Sequence, residues 1–168
     1  MLDISGALKS PGTVFPFEQS FDFEPTDFIG EELNFSDAKI KGEFFGTGEG
    51  VSIKGTLSVT VHAHCAKCLE PVVYHINTVA EADFSRSASD SDVFPIVGHQ
   101  IDVQPAAYEA MMLEMPFRFL CSSTCRGLCP VCGKNRNLDL CTCQKGSEKK
   151  SPFAALNGLV IEQDNEEV

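Results

Sequence analysis

Residues 51–63 read Val-Ser-Ile-Lys-Gly-Thr-Leu-Ser-Val-Thr-Val-His-Ala. Val51, Ile53, Leu57, Val59, Val61 and Ala63 alternate with Ser52, Lys54, Thr56, Ser58, Thr60 and His62. Apolar residues at every second position put one face of a strand on a core and leave the other in water. The same parity returns in Val72, Tyr74, Ile76, Ala80 and Phe84. The intervening residues 65–71, Cys-Ala-Lys-Cys-Leu-Glu-Pro, therefore form the tip of a hairpin. On the N-terminal side, Gly46, Gly48 and Gly50 punctuate a second turn. Ala38, Ile40, Gly42 and Phe44 alternate with Lys39, Lys41 and Glu43 before it, and Phe15, Phe17, Phe21 and Phe23 share one parity earlier still. The first strand of the sheet is expected over 15–23. Downstream, Asp102 is placed to cap a helix over 103–115, with Ala107, Ala110, Met111 and Glu114 at helical spacings and Pro116 ending it. The expected fold is mainly β (α+β), an antiparallel barrel or sandwich with one central helix.

The chain has 168 residues, enough for one or at most two domains. Its apolar fraction of 43% and charged fraction of 22% fit a globular protein and exclude a disordered one. No stretch approaches the roughly 20 apolar residues of a membrane span. Residues 1–12 carry Asp3 and lack a continuous apolar run, so no secretory signal is expected and the chain is read as intracellular. Asp plus Glu outnumber Lys plus Arg by 24 to 13, a net charge of −11. Such a chain has no broad electrostatic grip on nucleic acid and suits a basic protein partner better.

Eight cysteines fall in four close pairs: Cys65/Cys68, Cys121/Cys125, Cys129/Cys132 and Cys141/Cys143. Two cysteines separated by two residues on a tight turn can direct both sulfurs at one ion, at about 2.3 Å each for zinc. The run Cys129-Pro130-Val131-Cys132-Gly133 has the form of a zinc knuckle, and Cys141 and Cys143 supply two more sulfurs. Asn135 and Asn137 suit the intervening turn. One Zn²⁺ site is therefore assigned to Cys129, Cys132, Cys141 and Cys143. The remaining Cys65, Cys68, Cys121 and Cys125 form a second, stapling the hairpin tip to the segment after the helix. Both would be closed four-thiolate sites without an open position for substrate, which is structural chemistry. Three rivals share the same residues: a rubredoxin-like iron site, a thiol switch that ejects zinc on oxidation, and disulfides in a secreted chain.

Nothing here reads as an enzyme. His62 and His64 lie on the wet face, opposite in parity to Cys65, with His64 a substitute ligand at most; His75 pairs across the hairpin and His99 lies in a loop. No acid, base and nucleophile converge, and no Gly-rich phosphate loop leads from a strand into a helix. The basic residues concentrate near the cysteines, as Arg126, Lys134 and Arg136, followed by Lys145, Lys149 and Lys150. The first three are candidate RNA contacts, although aromatic residues for base stacking are not interleaved with them. After a charged linker, Phe153, Leu156 and Leu159 mark a short amphipathic helix, a candidate for docking a partner or for packing on the sheet.

With these residues in view, the chain resembles the YceD-like large-subunit ribosomal RNA accumulation proteins, in their cysteine-rich, Gram-positive-type form. Residues 1–12 (MLDISGALKSPG), 65–71 (CAKCLEP), 121–143 (CSSTCRGLCPVCGKNRNLDLCTC) and 151–156 (SPFAAL) carry the resemblance in order along the chain. It departs from the family at Ser151, Pro152 and Phe153, where many members carry Asp-Pro-Arg. The resemblance implies a non-enzymatic cytoplasmic factor in ribosomal RNA accumulation or processing and large-subunit biogenesis. The partners expected are a ribosomal protein or assembly factor, with large-subunit ribosomal RNA as a further candidate, and no membrane or small-molecule substrate. A redox-regulated zinc chaperone is the alternative. The expected organisation is a β domain over 1–120, an integrated zinc-knuckle module over 121–143, and a linker, short helix and acidic tail over 144–168.

Overall fold

The computed structural model describes residues 1–87, 93–138 and 141–143. The chain divides into two compact units, Met1–Cys125 and a second beginning at Arg126. All regular elements described here belong to the first. They are β1 (Leu2–Asp3), α1 (Ser5–Lys9), β2 (Val14–Phe21), β3 (Thr26–Phe28), β4 (Glu31–Gly46), β5 (Gly50–His64), β6 (Pro71–Ser85), β7 (Val93–Pro95), β8 (Gln100–Ile101) and α2 (Gln104–Glu114).

The main sheet runs β2-β4-β5-β6-β7, with β3 added to β4. Its centre is the β5–β6 hairpin, paired without interruption from Gly50↔Ser85 to His64↔Pro71. Along β5 the apolar positions are buried and most of the polar ones exposed, so the alternation in the sequence is the division between core and solvent. On β6 the same parity buries Ile76, Ala80 and Phe84, while Tyr74 lies beyond the core and is exposed.

β4 holds a feature that its alternation hides. Leu33 is buried and Phe35 half-buried on one parity, whereas Ala38, Ile40 and Phe44 are buried on the other. The pairing with β5 shifts between Ser36 and Lys39, and Asp37 sits there at φ 52. One extra residue in a β-bulge flips the side chains that follow to the opposite face, so both halves of β4 address the same core.

The expectation of a barrel or sandwich with one helix is corrected on two counts. The sheet is open: its order begins at β2 and ends at the three-residue β7, and no β2–β7 pairing closes it. Closure would require both edges to join. Instead, helices and a second, two-stranded ladder complete the core, through Ala7 of α1, Ala106, Ala107 and Met111 of α2, and Ile4, Ile101 and Val103 beside the β1–β8 pair. Among the described residues there are also two helices, where one central helix was expected, α1 being too short for the 3.6-residue period to register in the sequence. Both start in the same way: Asp3 accepts from the Ser5 N–H at 2.8 Å and Asp102 from the Gln104 N–H at 3.1 Å. The main sheet does begin where expected, with β2 as its first strand, but β2 stops at Phe21; Phe23 stays in the core by packing on Phe21, Phe35 and Tyr108.

Candidate metal centres

The connection between β5 and β6 carries the first cysteine pair. Cys65 donates its N–H to Glu70 O at 2.8 Å, and Leu69 donates to Cys65 O at 2.9 Å. Leu69 sits at φ 62. The turn around the third pair repeats this geometry. Cys129 donates to Lys134 O at 2.8 Å, Gly133 donates to Cys129 O at 2.9 Å, and Gly133 sits at φ 72. Both turns are therefore the same knuckle. The residue after the second cysteine is left-handed in each, a conformation glycine adopts without cost and leucine does not. The sequence betrays only the second knuckle, because only it has glycine there.

The two knuckles gather different partners. Ala66 donates to Phe119 O at 2.9 Å, which fastens the first knuckle to the chain after α2. Ser122 then shapes a turn, accepting from the Thr124 N–H at 3.2 Å and, through its carbonyl, from the Cys125 N–H at 3.1 Å. Cys121 and Cys125 thus meet Cys65 and Cys68. The Sγ atoms of Cys65 and Cys125 are 3.8 Å apart and those of Cys68 and Cys121 are 3.5 Å apart. In the second unit, Cys141 Sγ lies 3.3 Å from that of Cys129 and 3.5 Å from that of Cys132. Within each group of four, all sulfurs lie within 4.8 Å of one another.

These spacings are diagnostic. Four sulfurs at about 2.3 Å from a central ion define a tetrahedron with edges of about 3.8 Å. A disulfide brings two sulfurs to about 2.05 Å, and all eight cysteines are free. Each group can therefore hold one metal ion. The first is the more enclosed: Cys65, Cys68 and Cys125 are buried and Cys121 is exposed. In the second only Cys129 is buried, while Cys132 and Cys143 are exposed.

The electrostatics of the two groups match. Burial raises the Cys65 thiol, but the N–H groups of Cys121, Lys67 and Cys68 outweigh it and bring the pKa down to about 6. The N–H groups of Cys132 and Val131 bring Cys129 to about 6 as well. Neighbouring sulfurs have the reverse effect at the other end of each group: Cys125 and Cys68 push Cys121 up to about 12, and Cys141 and Cys132 push Cys143 up to about 12. One thiolate per group is stabilised by main-chain dipoles, and the full set of four needs a cation to offset their mutual repulsion.

The histidines stay outside both groups. His62 Nε2 lies 2.9 Å from Ser36 Oγ, His75 Nδ1 lies 3.3 Å from Thr60 Oγ1, and the mostly exposed His64 faces Glu31 at 3.3 Å. Arg126, Lys134 and Arg136 are exposed. The backbone brings two of them together: Arg126 donates its N–H to Asn137 Oδ1 at 2.8 Å and Arg136 donates to Gly127 O at 3.0 Å. Phe153, Leu156 and Leu159 lie outside the described residues. Among the described residues, no helix is long and apolar enough to cross a membrane.

An open sheet with a group of four thiols gathered at its hairpin tip, followed along the chain by a second group of four, defines a cysteine-cluster β-protein. The family model for the large ribosomal RNA subunit accumulation protein YceD matches residues 53–160, and the chain belongs to that family. An uncharacterized protein of Mycobacterium tuberculosis is 32% identical over 92 residues, which cover 51% of this chain and 44% of the relative. An uncharacterized protein of Mycobacterium leprae is also 32% identical over 92 residues, 42% of its length. The chain thus spans less than half the length of these mycobacterial relatives. The uncharacterized protein YlbN of Bacillus subtilis is 27% identical over 161 residues, 89% of this chain and 92% of that one. No solved structure matches the chain.

Proposed function

We propose that this protein is a non-enzymatic factor of large-subunit biogenesis, held in shape by two structural Zn²⁺ ions and acting in the cytoplasm by binding protein. The observation that carries the reading is the pair of closed four-sulfur groups in a member of a family named for accumulation of large-subunit ribosomal RNA. Four soft thiolates at tetrahedral spacing suit zinc. Cys65, Cys68, Cys121 and Cys125 would hold one ion, and Cys129, Cys132, Cys141 and Cys143 the other. The first site links residues 53 positions apart, so its ion shortens the loops open to the unfolded chain. All ligand positions are filled by protein, which leaves the ion no substrate to polarise.

With a net charge of −11, the natural partner is basic, as ribosomal proteins are before they meet RNA. The test is direct binding between the zinc-loaded chain and the purified proteins of the large subunit, together with large-subunit RNA levels after depletion of the chain. Binding to basic ribosomal proteins and a fall in that RNA are expected; normal RNA levels without the chain would refute the role.

A second contact, with RNA, is supported by the exposed Arg126, Lys134 and Arg136 around the second knuckle. Three phosphate contacts give affinity for single-stranded RNA a salt slope of about −2. Replacing all three by alanine should abolish that slope. RNA affinity unchanged by the replacement would remove this contact from the account.

A further inference from the structure

The sheet has two edges, and they differ. β2 carries Pro16, which cannot donate to an incoming strand, and charged Glu18. β6 is 15 residues long, yet β7 pairs only with Asp83, Phe84 and Ser85. Among the described residues, no strand pairs with the outer edge of β6 from Pro71 to Ala82. Residues 72–80, Val-Val-Tyr-His-Ile-Asn-Thr-Val-Ala, contain no proline, Asp, Glu, Lys or Arg. Soluble proteins ordinarily guard such an edge with lysine, proline or a bulge.

A groove of about 350 Å³ opens along this edge, between β6, β7 and α2. Thr78 lines it from the core parity of β6, and Val79 and Glu81 from the outer parity. Side chains of both parities can meet one groove only where it faces the strand edge-on. Leu113 of α2 also lines it and is 89% exposed. The charged lining is wholly acidic, comprising Glu81, Glu109 and Glu114. Glu81 has an exposed ion pair with Lys54 at 2.6 Å, whereas Glu109 and Glu114 have no ion-pair partner among the described residues. Glu114 ends α2, which has no basic residue in its last turn. An acid there opposes the helix dipole, so its position favours a cationic ligand over the helix itself.

We propose that the free edge of β6 is a strand-addition site for an extended, basic segment of a protein partner, which rests on the reading of the chain as a binder of basic ribosomal proteins. The incoming main chain would continue the sheet beside β7, with its apolar side chains meeting Val79 on the outer face and its basic ones meeting Glu109 and Glu114 on the face that α2 covers.

The test uses the full zinc-loaded chain and a labelled peptide of about eight alternating lysines and valines. The peptide should slow amide exchange within residues 72–82. Affinity should fall about tenfold in Glu109→Lys/Glu114→Lys and in Val79→Lys, and vanish when alternate peptide amides are methylated with the charge kept. Equal binding of the methylated peptide would leave charge attraction alone and overturn the site. Slow exchange, in the chain without peptide, of those amides in 72–82 that do not bond to β5 would do the same, showing the edge already covered by a second copy or by another part of this chain. The functional reading is separable. If large-subunit proteins bind the parent and Glu109→Lys/Glu114→Lys chains equally, the edge is wrong and the reading stands. If the peptide binds the edge but no large-subunit protein binds the chain, the reading falls instead.

Discussion

Gly42 and Gly55 face one another across β4 and β5. A Cβ on Gly42 would lie 2.2 Å from the carbonyl oxygen of Lys54 and 2.4 Å from the Cα of Gly55. Neither is the end of a flexible side chain, so the strands themselves would have to separate. Gly42→Ala should therefore lose about 2 kcal/mol or more of stability, read as a lowered denaturant midpoint; an unchanged midpoint would show that the strands part freely. Leu69 is the converse case. It is exposed and left-handed, so Leu69→Gly relieves strain at little loss of packing, and the variant should be as stable as the parent or up to about 1 kcal/mol more so. The thiols set the pH response. Cys65 and Cys129 are lowered from an ordinary 9.0 to about 6, so the stability they lend exists at alkaline pH and is lost as pH falls through about 6. Metal affinity should decline over the same acid range. Near pH 7.5 each of these thiols has already given up its proton, so loading an ion should release fewer than four protons per centre, as measured by calorimetry in buffers of different ionisation heat. Release of four would show that main-chain dipoles do not hold these thiolates. The cysteine spacing made the ligand groups legible, but Leu69 concealed that both turns share one geometry, because a left-handed leucine leaves no mark in a sequence.

The elements differ in how plainly they are written. β5 and β6 alternate cleanly because one face is core and the other water, and their register follows from a short connection. α2 was legible from Asp102, its apolar spacing and Pro116, and it occupies Gln104–Glu114, inside the expected 103–115. β4 was legible only from Ala38 onward. Before it, the bulge at Asp37 inverts the parity, and a fixed period of two cannot follow such a step. Asp37→Gly should preserve the fold, since glycine accepts φ 52. Deleting Asp37 should not, since Leu33 and Phe35 would then turn to solvent; near-native far-ultraviolet dichroism and melting in the deletion would contradict the bulge's role. Barrel closure was misjudged for a related reason. Alternation reports which face of a strand is buried, not what buries it, and here α1, α2 and the β1–β8 ladder do so in place of further sheet.

For the molecule as a whole, the charge and the cysteines pull in one direction. Four thiolates and one Zn²⁺ carry a charge of about −2, so two filled centres make an acidic chain more acidic and favour basic partners further. The centres should also differ in how readily they are stripped. The first has three buried sulfurs and lies within the unit that holds the sheet; the second has one. Graded chelation should thus remove the second ion first, with the sheet still folded, and loss of the first should bring cooperative unfolding. The most direct measurement is metal content per chain, on protein purified without added metal or chelator, for the parent and for Cys141→Ser/Cys143→Ser. Two zinc ions in the parent and one in the variant are expected. An absence of zinc in the parent, or the same count in both proteins, would contradict two independent four-cysteine zinc centres.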